Sequence, residues 1–297
     1  MKILQPKVEL WQQGEDKVAH VARCARICYG KDSGNDLHLV KSLLKNKHNS
    51  MFRHITNYYI VPIEIIKNYP RLIHLHDTIN VLKQNIIGID IKSNASYYFI
   101  VTNSNYNLDN CYFTNLLRKF RVNEKEFENY SEIAFNMMRY TFCVVTQIST
   151  SRELNRVSPN NIAEQSTRYV YEDGTICEPH WLEGYDIYKD LVGRNVIYHN
   201  NKPDDDINHK VKTYIDSCEQ GFRDYKYLIQ SGLSRQDARG VLPFDTATKC
   251  AYTYSINEWR NIIDLRYYGT TGKPHPNCVI IAKAIKEQLE ELGYNFK

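Results

Sequence analysis

A polar segment that directly follows an apolar run carries most of the side chains able to bind an anion. The run YTFCVVTQIST leads into SRELNRVSPNNIAEQSTRY at residues 151–169, which contains three arginines and two glutamates. Guanidinium groups such as those of Arg156 and Arg168 present forked donors that match a phosphate or a carboxylate. Glu164 adds an acceptor suited to a ring N–H or a ribose hydroxyl, and Ser166 adds a hydroxyl between them.

These charges allow two interpretations. They could pair with one another in a solvated loop, or they could bind an anionic ligand. Thr150-Ser151-Arg152-Glu153 has the spacing of a helix capping box, which predicts a helix N-terminus at the end of the preceding strand. Backbone N–H groups at such a terminus bind anions, so the capping box is compatible with the second interpretation, but the pattern of this segment alone leaves both open.

Two further arginines have apolar neighbours. Arg239 lies in DARGVLP and Arg266 in IIDLRYYG, both within predicted half-buried helices. A buried arginine needs an anion or several acceptors, because an unpaired buried charge is costly. Internal salt bridges with Asp237 and Asp264 are the alternative. Together the arginines indicate a small, multiply anionic ligand such as a nucleotide or a sugar phosphate, without identifying a reaction.

Hydrophobic periodicity predicts the elements that must position these residues. Helices and strands follow one another without regular alternation, which favours an α+β fold with an antiparallel or mixed sheet flanked by helices. The predicted helices cover residues 16–29, 36–47, 124–139, 204–232, 255–268 and 276–292, and the predicted strands cover residues 55–65, 97–102, 140–148 and 246–254. With no internal repeat or clear boundary, residues 1–297 are expected to form a single domain.

Composition excludes several protein classes. Hydrophobic residues at 42% and charged residues at 24% are typical of a globular chain rather than a disordered one. The net charge of +4 comes from scattered basic residues, which does not indicate nucleic-acid binding. No run of about 18 apolar residues occurs, so we expect a cytoplasmic protein without a membrane partner. The eight cysteines form no CxxC pair and are expected to be free thiols, and the spacing of His48 and His54 does not predict a metal site.

Several segments resemble the flavin-dependent thymidylate synthases. EQSTRY at residues 164–169, with Arg156 eight residues before Glu164, resembles the signature of that family. Other segments similar to the family are ARICYG, HNSMFRHITNYYI, ICEPHW, DARGVLPFDTATKCAYTYSINEWRNIIDLR and PHPN, in that order along the chain. The resemblance covers nearly the whole chain except about residues 66–139, which are expected to be an insertion.

The resemblance implies a reaction and an assembly. Members of the family methylate C5 of dUMP, taking the carbon from methylenetetrahydrofolate and the hydride from FAD that NADPH has reduced. No enzyme nucleophile adds to the pyrimidine. The family also implies a homotetramer whose active sites are each built from several subunits.

Residue roles follow from the same resemblance. The implied dUMP-binding residues are Glu153, Arg156, Glu164, Gln165, Ser166, Thr167, Arg168, Arg239 and Arg266. Arg239 would hold the phosphate or the ring, Arg266 would favour the N3-ionised uracil, and Arg266 and Ser166 are the expected catalytic residues. The implied FAD-binding residues are Ser50, His54, Arg156, Glu164, Asn257 and Asn261.

The chain departs from the family signature on the flavin side. The family has Arg-His-Arg, seven residues and then Ser, whereas this chain has Arg156-Val157-Ser158 with Ser166 in register. Arg53 also replaces a glutamate that usually precedes the equivalent of His54. We therefore expect looser FAD binding and an intact dUMP site. The alternative is a non-catalytic or altered-specificity homologue that binds a pyrimidine nucleotide as a structural or regulatory tetramer.

Overall fold

The computed structural model describes residues 1–67, 89–103, 117–156, 161–199 and 205–296. Val157 and Ser158, on which the expectation of loose flavin binding depends, lie outside the described residues, as does much of the predicted insertion. The described strands are β1 (Lys2–Leu4), β2 (Lys7–Trp11), β3 (Thr56–Pro62), β4 (Ile89–Ser93), β5 (Tyr97–Asn103), β6 (Arg121–Val122), β7 (Arg139–Gln147), β8 (Ile162–Glu164), β9 (Thr175–Cys177), β10 (Tyr185–Lys189), β11 (Asn195–His199) and β12 (Ala247–Ser255).

Helices connect and flank these strands. The described α-helices are α1 (Lys17–Ile27), α2 (Asp36–Lys45), α3 (Ile63–Lys67), α4 (Glu124–Glu128), α5 (Glu132–Phe135), α6 (Ile148–Leu154), α7 (Asp205–Gln230), α8 (Arg235–Ala238), α9 (Ile256–Ile263) and α10 (Pro276–Glu291). In the described ranges, 3₁₀ turns lie at Asn49–His54, His180–Leu182 and Arg239–Val241, and a π-helical turn lies at Asp264–Tyr268.

The main sheet is antiparallel, with strand order β2-β7-β12-β8. β7 and β12 pair along their whole length, from Ala247 opposite Gln147 to Ser255 opposite Arg139. One face packs on a large core that includes Phe142 of β7 and Trp259 of α9, whose rings meet edge to face. The other face packs on α1. Helices on both faces of an antiparallel sheet confirm the predicted α+β fold.

A second antiparallel sheet has strand order β4-β5-β3-β6. β3 pairs with β5 through the register from Thr56 opposite Asn103 to Pro62 opposite Tyr97, which confirms both predicted strands. The parallel pair β1-β9 and the hairpin β10-β11 form two smaller sheets. Ile197 of the hairpin and Ile176 of β9 pack with the apolar side of α7.

Most predicted helices are confirmed, but the one predicted over residues 124–139 is wrong. The chain forms α4 and α5 instead, because Asn123 caps α4 and Ser131 caps α5, each accepting a backbone N–H three residues ahead. Asparagine and serine side chains favour such caps over helix interiors. Arg139 then begins β7, where long-range pairing with β12 decides the conformation.

The capping box predicted at Thr150–Glu153 does not form. α6 begins earlier, after Gln147, and the hydroxyl of the buried Thr150 donates to Oε1 of Gln147 at 2.7 Å. The backbone N–H of Ile148 donates to O of Thr246, the residue just before β12, so the start of this strand fixes where the helix begins. As a result, the charged residues after Thr150 lie on the body of a helix and not at its N-terminus.

The described cysteines are free thiols, as expected for a chain without a CxxC pair. No helix in the described part of the chain combines the length and the apolar composition of a membrane span.

Candidate functional site

A cleft of about 550 Å³ opens where β8 ends. Five of the predicted dUMP-binding residues line it: Glu164, Gln165, Ser166, Thr167 and Arg239. Its remaining wall comes from the start of α6 and from the segment that leads into β12, including Pro243 and Phe244. The fold therefore brings together predicted residues that lie more than 70 positions apart in the sequence, such as Thr167 and Arg239.

The backbone at the end of β8 places Glu164 and Gln165 on different sides of the sheet. Glu164 pairs with Cys250, and the N–H of Gln165 continues the ladder by donating to Lys249 O at 2.9 Å. Successive side chains of a strand point to opposite faces. The N–H of Ser166 then donates to Cys28 O at 3.3 Å, which turns the chain toward α1 and leaves Ser166 and Thr167 at the cleft.

Three side chains hold the carboxylate of Glu164. Ser151 Oγ donates to Oε1 at 2.6 Å, Asn155 Nδ2 donates to Oε2 at 3.1 Å, and Thr248 Oγ1 lies 3.5 Å from Oε1. The Tyr252 hydroxyl donates to Asn155 Oδ1 at 3.0 Å, which fixes the amide. Sequence reasoning did not identify Ser151 or Asn155 as site residues. Their signal was the i, i+4 spacing on the segment after a buried strand, which puts both on one helix face.

Two guanidinium groups face the cleft. Arg239 Nη1 donates to Thr167 Oγ1 at 3.1 Å, and Arg152 of α6 lies over the Phe244 ring at 5.0 Å from its centroid. Arg239 was expected to be half-buried with Asp237 as an alternative partner. It is exposed, and Asp237 accepts a hydrogen bond from Ser234 instead. Arg152 was missed by the sequence prediction, and with it the cleft has two cations suited to a phosphate.

Arg168 lies beside the cleft and not in its wall. Its Nε donates to Gln236 Oε1 at 3.3 Å, and its guanidinium lies 5.5 Å from the centroid of the Tyr169 ring. Its backbone N–H donates to Ser166 Oγ at 3.3 Å. In this position Arg168 supports the loop that carries Ser166 and Thr167.

The remaining predicted dUMP residues form a separate cluster around Glu153. Its Oε1 lies 3.0 Å from Arg156 Nη2 and its Oε2 lies 3.7 Å from Arg266 Nη1. The alternative of mutual charge pairing therefore holds for these arginines, although Arg266 pairs with Glu153 and not with Asp264. The Arg266 side chain is 17% exposed, and its Nε is buried with no partner among the described residues. Two arginines against one glutamate leave a positive charge and a free donor for a ligand.

Two of the predicted flavin residues, Asn257 and Asn261, lie on α9, beyond the other end of β12. Ser50, Asn257 and Asn261 are exposed, and the two asparagines are one turn apart on α9. β12 spans nine residues between the cleft end and the start of α9, or roughly 27 Å at the usual rise of a strand. Arg156 and Glu164, also predicted for the flavin, belong to the Glu153 cluster and the cleft. In one chain the two parts of the predicted site are thus separated.

His54 has no exposed ring edge for a ligand. It is 0% exposed, and its Nδ1 lies 2.7 Å from Thr253 Oγ1. Burial, followed by the nearby positive groups, lowers the pKa of His54 to about 3, so the ring is neutral. In this structure the imidazole positions Thr253 of β12 from inside the core, and a contact between His54 and FAD stays a prediction.

Comparison with known proteins gives three findings. The family model described as thymidylate synthase complementing protein matches residues 114–292, which is more than half of the chain. A flavin-dependent thymidylate synthase of Thermosipho africanus (strain TCF52B) is 27% identical over 144 residues, which cover 47% of this chain and 59% of that protein. The match thus spans about three fifths of the length of this curated relative.

Two solved structures of a UMP/dUMP methylase PolB from Streptomyces cacaoi, bound with 5-Br dUMP and with 5-Br UMP, align with 98% of this chain and with 93% and 92% of theirs. Their identities to this chain are 17% and 16%, and both TM-scores are 0.46. The extent of the family match is decisive, because it includes the cleft, α6 and the Arg266 cluster. The chain belongs to the thymidylate synthase complementing protein family.

Proposed function

We propose that this protein methylates C5 of dUMP, with methylenetetrahydrofolate as the carbon donor and with FAD and NADPH supplying the reducing equivalents. The observation that carries this proposal is the cleft in which Arg152 and Arg239 face the EQST segment of residues 164–167, in a chain of this family. Two cations beside hydroxyl and amide groups suit a nucleotide monophosphate.

Different cleft residues bind different groups of the nucleotide. Arg239 and Arg152 bind the phosphate, and Ser166 and Thr167 add hydroxyl donors beside it. Glu164 accepts a hydrogen bond from the nucleotide, and its carboxylate keeps a fixed orientation because Ser151 and Asn155 hold both oxygens. A pre-positioned acceptor does not have to reorganise when the substrate binds.

Arg266 acts on the pyrimidine. Its largely buried guanidinium retains a donor that the described residues do not satisfy, and its charge is only weakly screened there. A cation in that position favours the N3-ionised uracil, which makes C5 more nucleophilic. Glu153 orients Arg266, and Arg156 completes the cluster.

The exposed polar side chains near α9 fit a flavin. Asn257 and Asn261 each offer an amide donor and acceptor on one helix face, and Ser50 adds a hydroxyl, which suits the ribityl and phosphate groups of FAD. When bound, FAD supplies the hydride that completes the methyl group. The chain's own residues only hold and orient the cofactor.

Each active site is proposed to draw on more than one subunit. Asn257 and Asn261 lie beyond the far end of β12 from the cleft of the same chain, so a flavin held by them meets the cleft of another copy. We propose a homotetramer of single-domain subunits, with about residues 66–139 as an insertion in each.

The proposal is tested with purified protein, FAD and dUMP. We expect a flavin absorbance spectrum that changes when dUMP is added, and conversion of dUMP to dTMP, measured by mass spectrometry, that stops when methylenetetrahydrofolate, NADPH or FAD is omitted. A colourless protein that binds dUMP without converting it would instead identify the non-catalytic homologue. Methylation of another pyrimidine nucleotide in place of dUMP would identify altered specificity.

A further inference from the structure

A second cavity, of about 470 Å³, lies on the other side of Gln165 from the cleft. Gln165 lines both spaces. The charged and aromatic groups of the cavity wall include Trp11, Arg23, Lys31 and Lys249. None of these four residues belongs to the predicted dUMP or flavin sets.

The cavity exists because α1 covers only part of the sheet. Across the strands, Lys7 pairs with Val145 and Lys249 with Val145, while Gln165 continues β8 beside Lys249. Side chains opposite each other in an antiparallel sheet share a face, so this row lies on the α1 side. α1 packs against the neighbouring row and ends at Ile27, which leaves the row of Lys249 and Gln165 open.

A tight approach fixes the chain where α1 ends. Gly30 has a φ of 59°, and a side chain there would meet Val170 at 2.9 Å. Only glycine fits both the left-handed backbone and the space. Lys31 and Asp32 are therefore held at the mouth of the cavity, directly after this turn.

The wall of the cavity carries more positive than negative charge. Lys249 Nζ lies 3.7 Å from Asp32, whose side chain is 96% exposed, and Arg23 Nη2 lies 3.6 Å from Glu9, which also pairs with Lys7. Lys31 has no acidic group within 4 Å in the described part of the chain. Exposed pairs at these distances contribute little, so the cations stay available to an anion.

Arg26 also lies in the wall, but its guanidinium already binds other groups. It donates to Asp36 and to Gly34 O, so it is not available to an anion in the cavity. Trp11 fixes the position of Arg23 instead. The Arg23 guanidinium lies 3.6 Å from the centroid of the Trp11 ring, and Lys249 Nζ lies 6.0 Å from it. Cations at these distances are attracted to the face of an indole, so Trp11 holds both at the cavity in addition to their exposed acidic neighbours.

We propose that this cavity is a second anion-binding site, which takes a phosphate or a cluster of carboxylates on a small molecule adjacent to the nucleotide cleft. Arg23, Lys31 and Lys249 bind the anion, and Gln165 separates it from the nucleotide. The proposal does not depend on the methyl transfer, because the anion binds whether or not the protein is a catalyst.

Intrinsic tryptophan fluorescence tests the proposal, because bound anion moves cations at the Trp11 ring. The full chain is titrated with pyrophosphate and, separately, with a triglutamate peptide, each first without dUMP and then with saturating dUMP. We expect a saturable change that is lost in Trp11→Phe. Lys249→Gln and Lys31→Gln should each weaken binding by roughly ten-fold, as loss of one charge-assisted contact predicts. Lys210→Gln, at an exposed position of α7, removes the same charge and should leave the affinity unchanged.

The relative affinities for the two probes identify the class of anion, and three results would refute the proposal. Tighter binding of pyrophosphate assigns the site to a phosphate, and tighter binding of triglutamate assigns it to a polycarboxylate. A signal abolished by saturating dUMP means that the anion binds the nucleotide cleft, and the proposal is wrong. The proposal is also wrong if no signal depends on Trp11, or if folded Lys249→Gln and Lys31→Gln, checked by circular dichroism, bind as the parent does.

Discussion

The exposed guanidinium of Arg239 makes one hydrogen bond within the described structure, to a hydroxyl that also faces the cleft. Such a group is positioned but not neutralised, which is what a phosphate site requires. Arg239→Ala should weaken dUMP binding by about one to two orders of magnitude, since a charge-assisted hydrogen bond contributes about 1.5–3 kcal/mol. Calorimetric titration of dUMP measures this. Arg223→Ala, which removes an exposed arginine of α7, is the matched control, and an unchanged affinity in Arg239→Ala would remove that residue from the site.

The orientation of Glu164 depends on its neighbours in α6. Ser151→Ala deletes a 2.6 Å hydrogen bond to the carboxylate from a fully buried residue. A carboxylate that loses this donor has more freedom, and we expect dUMP affinity to fall about ten-fold for a loss of roughly 1.4 kcal/mol. Ser149→Ala, on the same helix, removes a hydroxyl that donates to Asp245 and should leave dUMP binding nearly unchanged. Equal losses in the two variants would contradict the role assigned to Ser151.

At the scale of the element, the serines that precede α9 and α8 should differ in how much they stabilise the fold. Ser255 and Glu258 form a complete capping box at the start of α9, whereas the hydroxyl of Ser234 makes no cap hydrogen bond to α8. Ser255→Ala should lower the free energy of unfolding by about 0.5–2 kcal/mol. Ser234→Ala should lower it less, because no backbone N–H loses its acceptor. Urea denaturation checks both, and a larger loss in Ser234→Ala than in Ser255→Ala would contradict these cap contacts.

Sequence patterns predicted helices and strands correctly wherever the local pattern, such as a β-rich run or a capping box, agreed with the long-range packing. The strand predicted at 140–148 and its partner at 246–254 are both β-rich runs, and they pair as β7 and β12. The box at Ser255 is followed by the apolar stripe of α9, so cap and pattern agree. The pattern at Thr150 was equally good, but there the ladder of the sheet starts the helix at Ile148. A capping motif cannot report such a tertiary constraint.

The site was predictable in part for the same reason. Contiguous motifs brought Glu164, Ser166 and Thr167 to the cleft together. Arg239 reached them only through folding, and the resemblance to a family supplied it. Arg152 was missed because its partner, Phe244, lies on a different segment, and no sequence spacing links the two.

At the scale of the whole molecule, two buried histidines link stability to pH. Burial lowers the pKa of His20 to about 4 and that of His54 to about 3, from 6.5 in the unfolded chain. Below pH 6.5 the unfolded state binds protons that the native state does not. Stability should therefore fall as the pH decreases from 6.5 toward 4, by up to about 1.4 kcal/mol per pH unit for each histidine.

Glu172 opposes this slope. Burial raises the pKa of its carboxyl from 4.5 to about 7, so the stability contributed by this group falls as the pH rises between these two values. The decisive quantity is therefore the difference between wild type and His54→Gln, which can still bond Thr253. Denaturation from pH 8 to pH 4.5 should show a slope shallower in the variant by about 1.4 kcal/mol per pH unit below pH 6.5. Identical slopes would mean that His54 is not neutral and buried in the native protein.

The separation between the cleft and the asparagines of α9 predicts that activity can be restored in tetramers assembled from two inactive variants. Arg239→Ala damages the cleft, and the double variant Asn257→Ala/Asn261→Ala damages the flavin side about one strand length away in the same chain. Each variant alone should have little activity. If each active site combines one chain's cleft with another chain's flavin residues, tetramers assembled from an equal mixture should contain about a quarter of sites with both halves intact. Activity should then reappear when the two are unfolded together and refolded as a mixture, with tetramers confirmed by light scattering. A site contained in one chain predicts no recovery, because every chain then carries a lesion, and a monomer by light scattering would contradict the shared site as well.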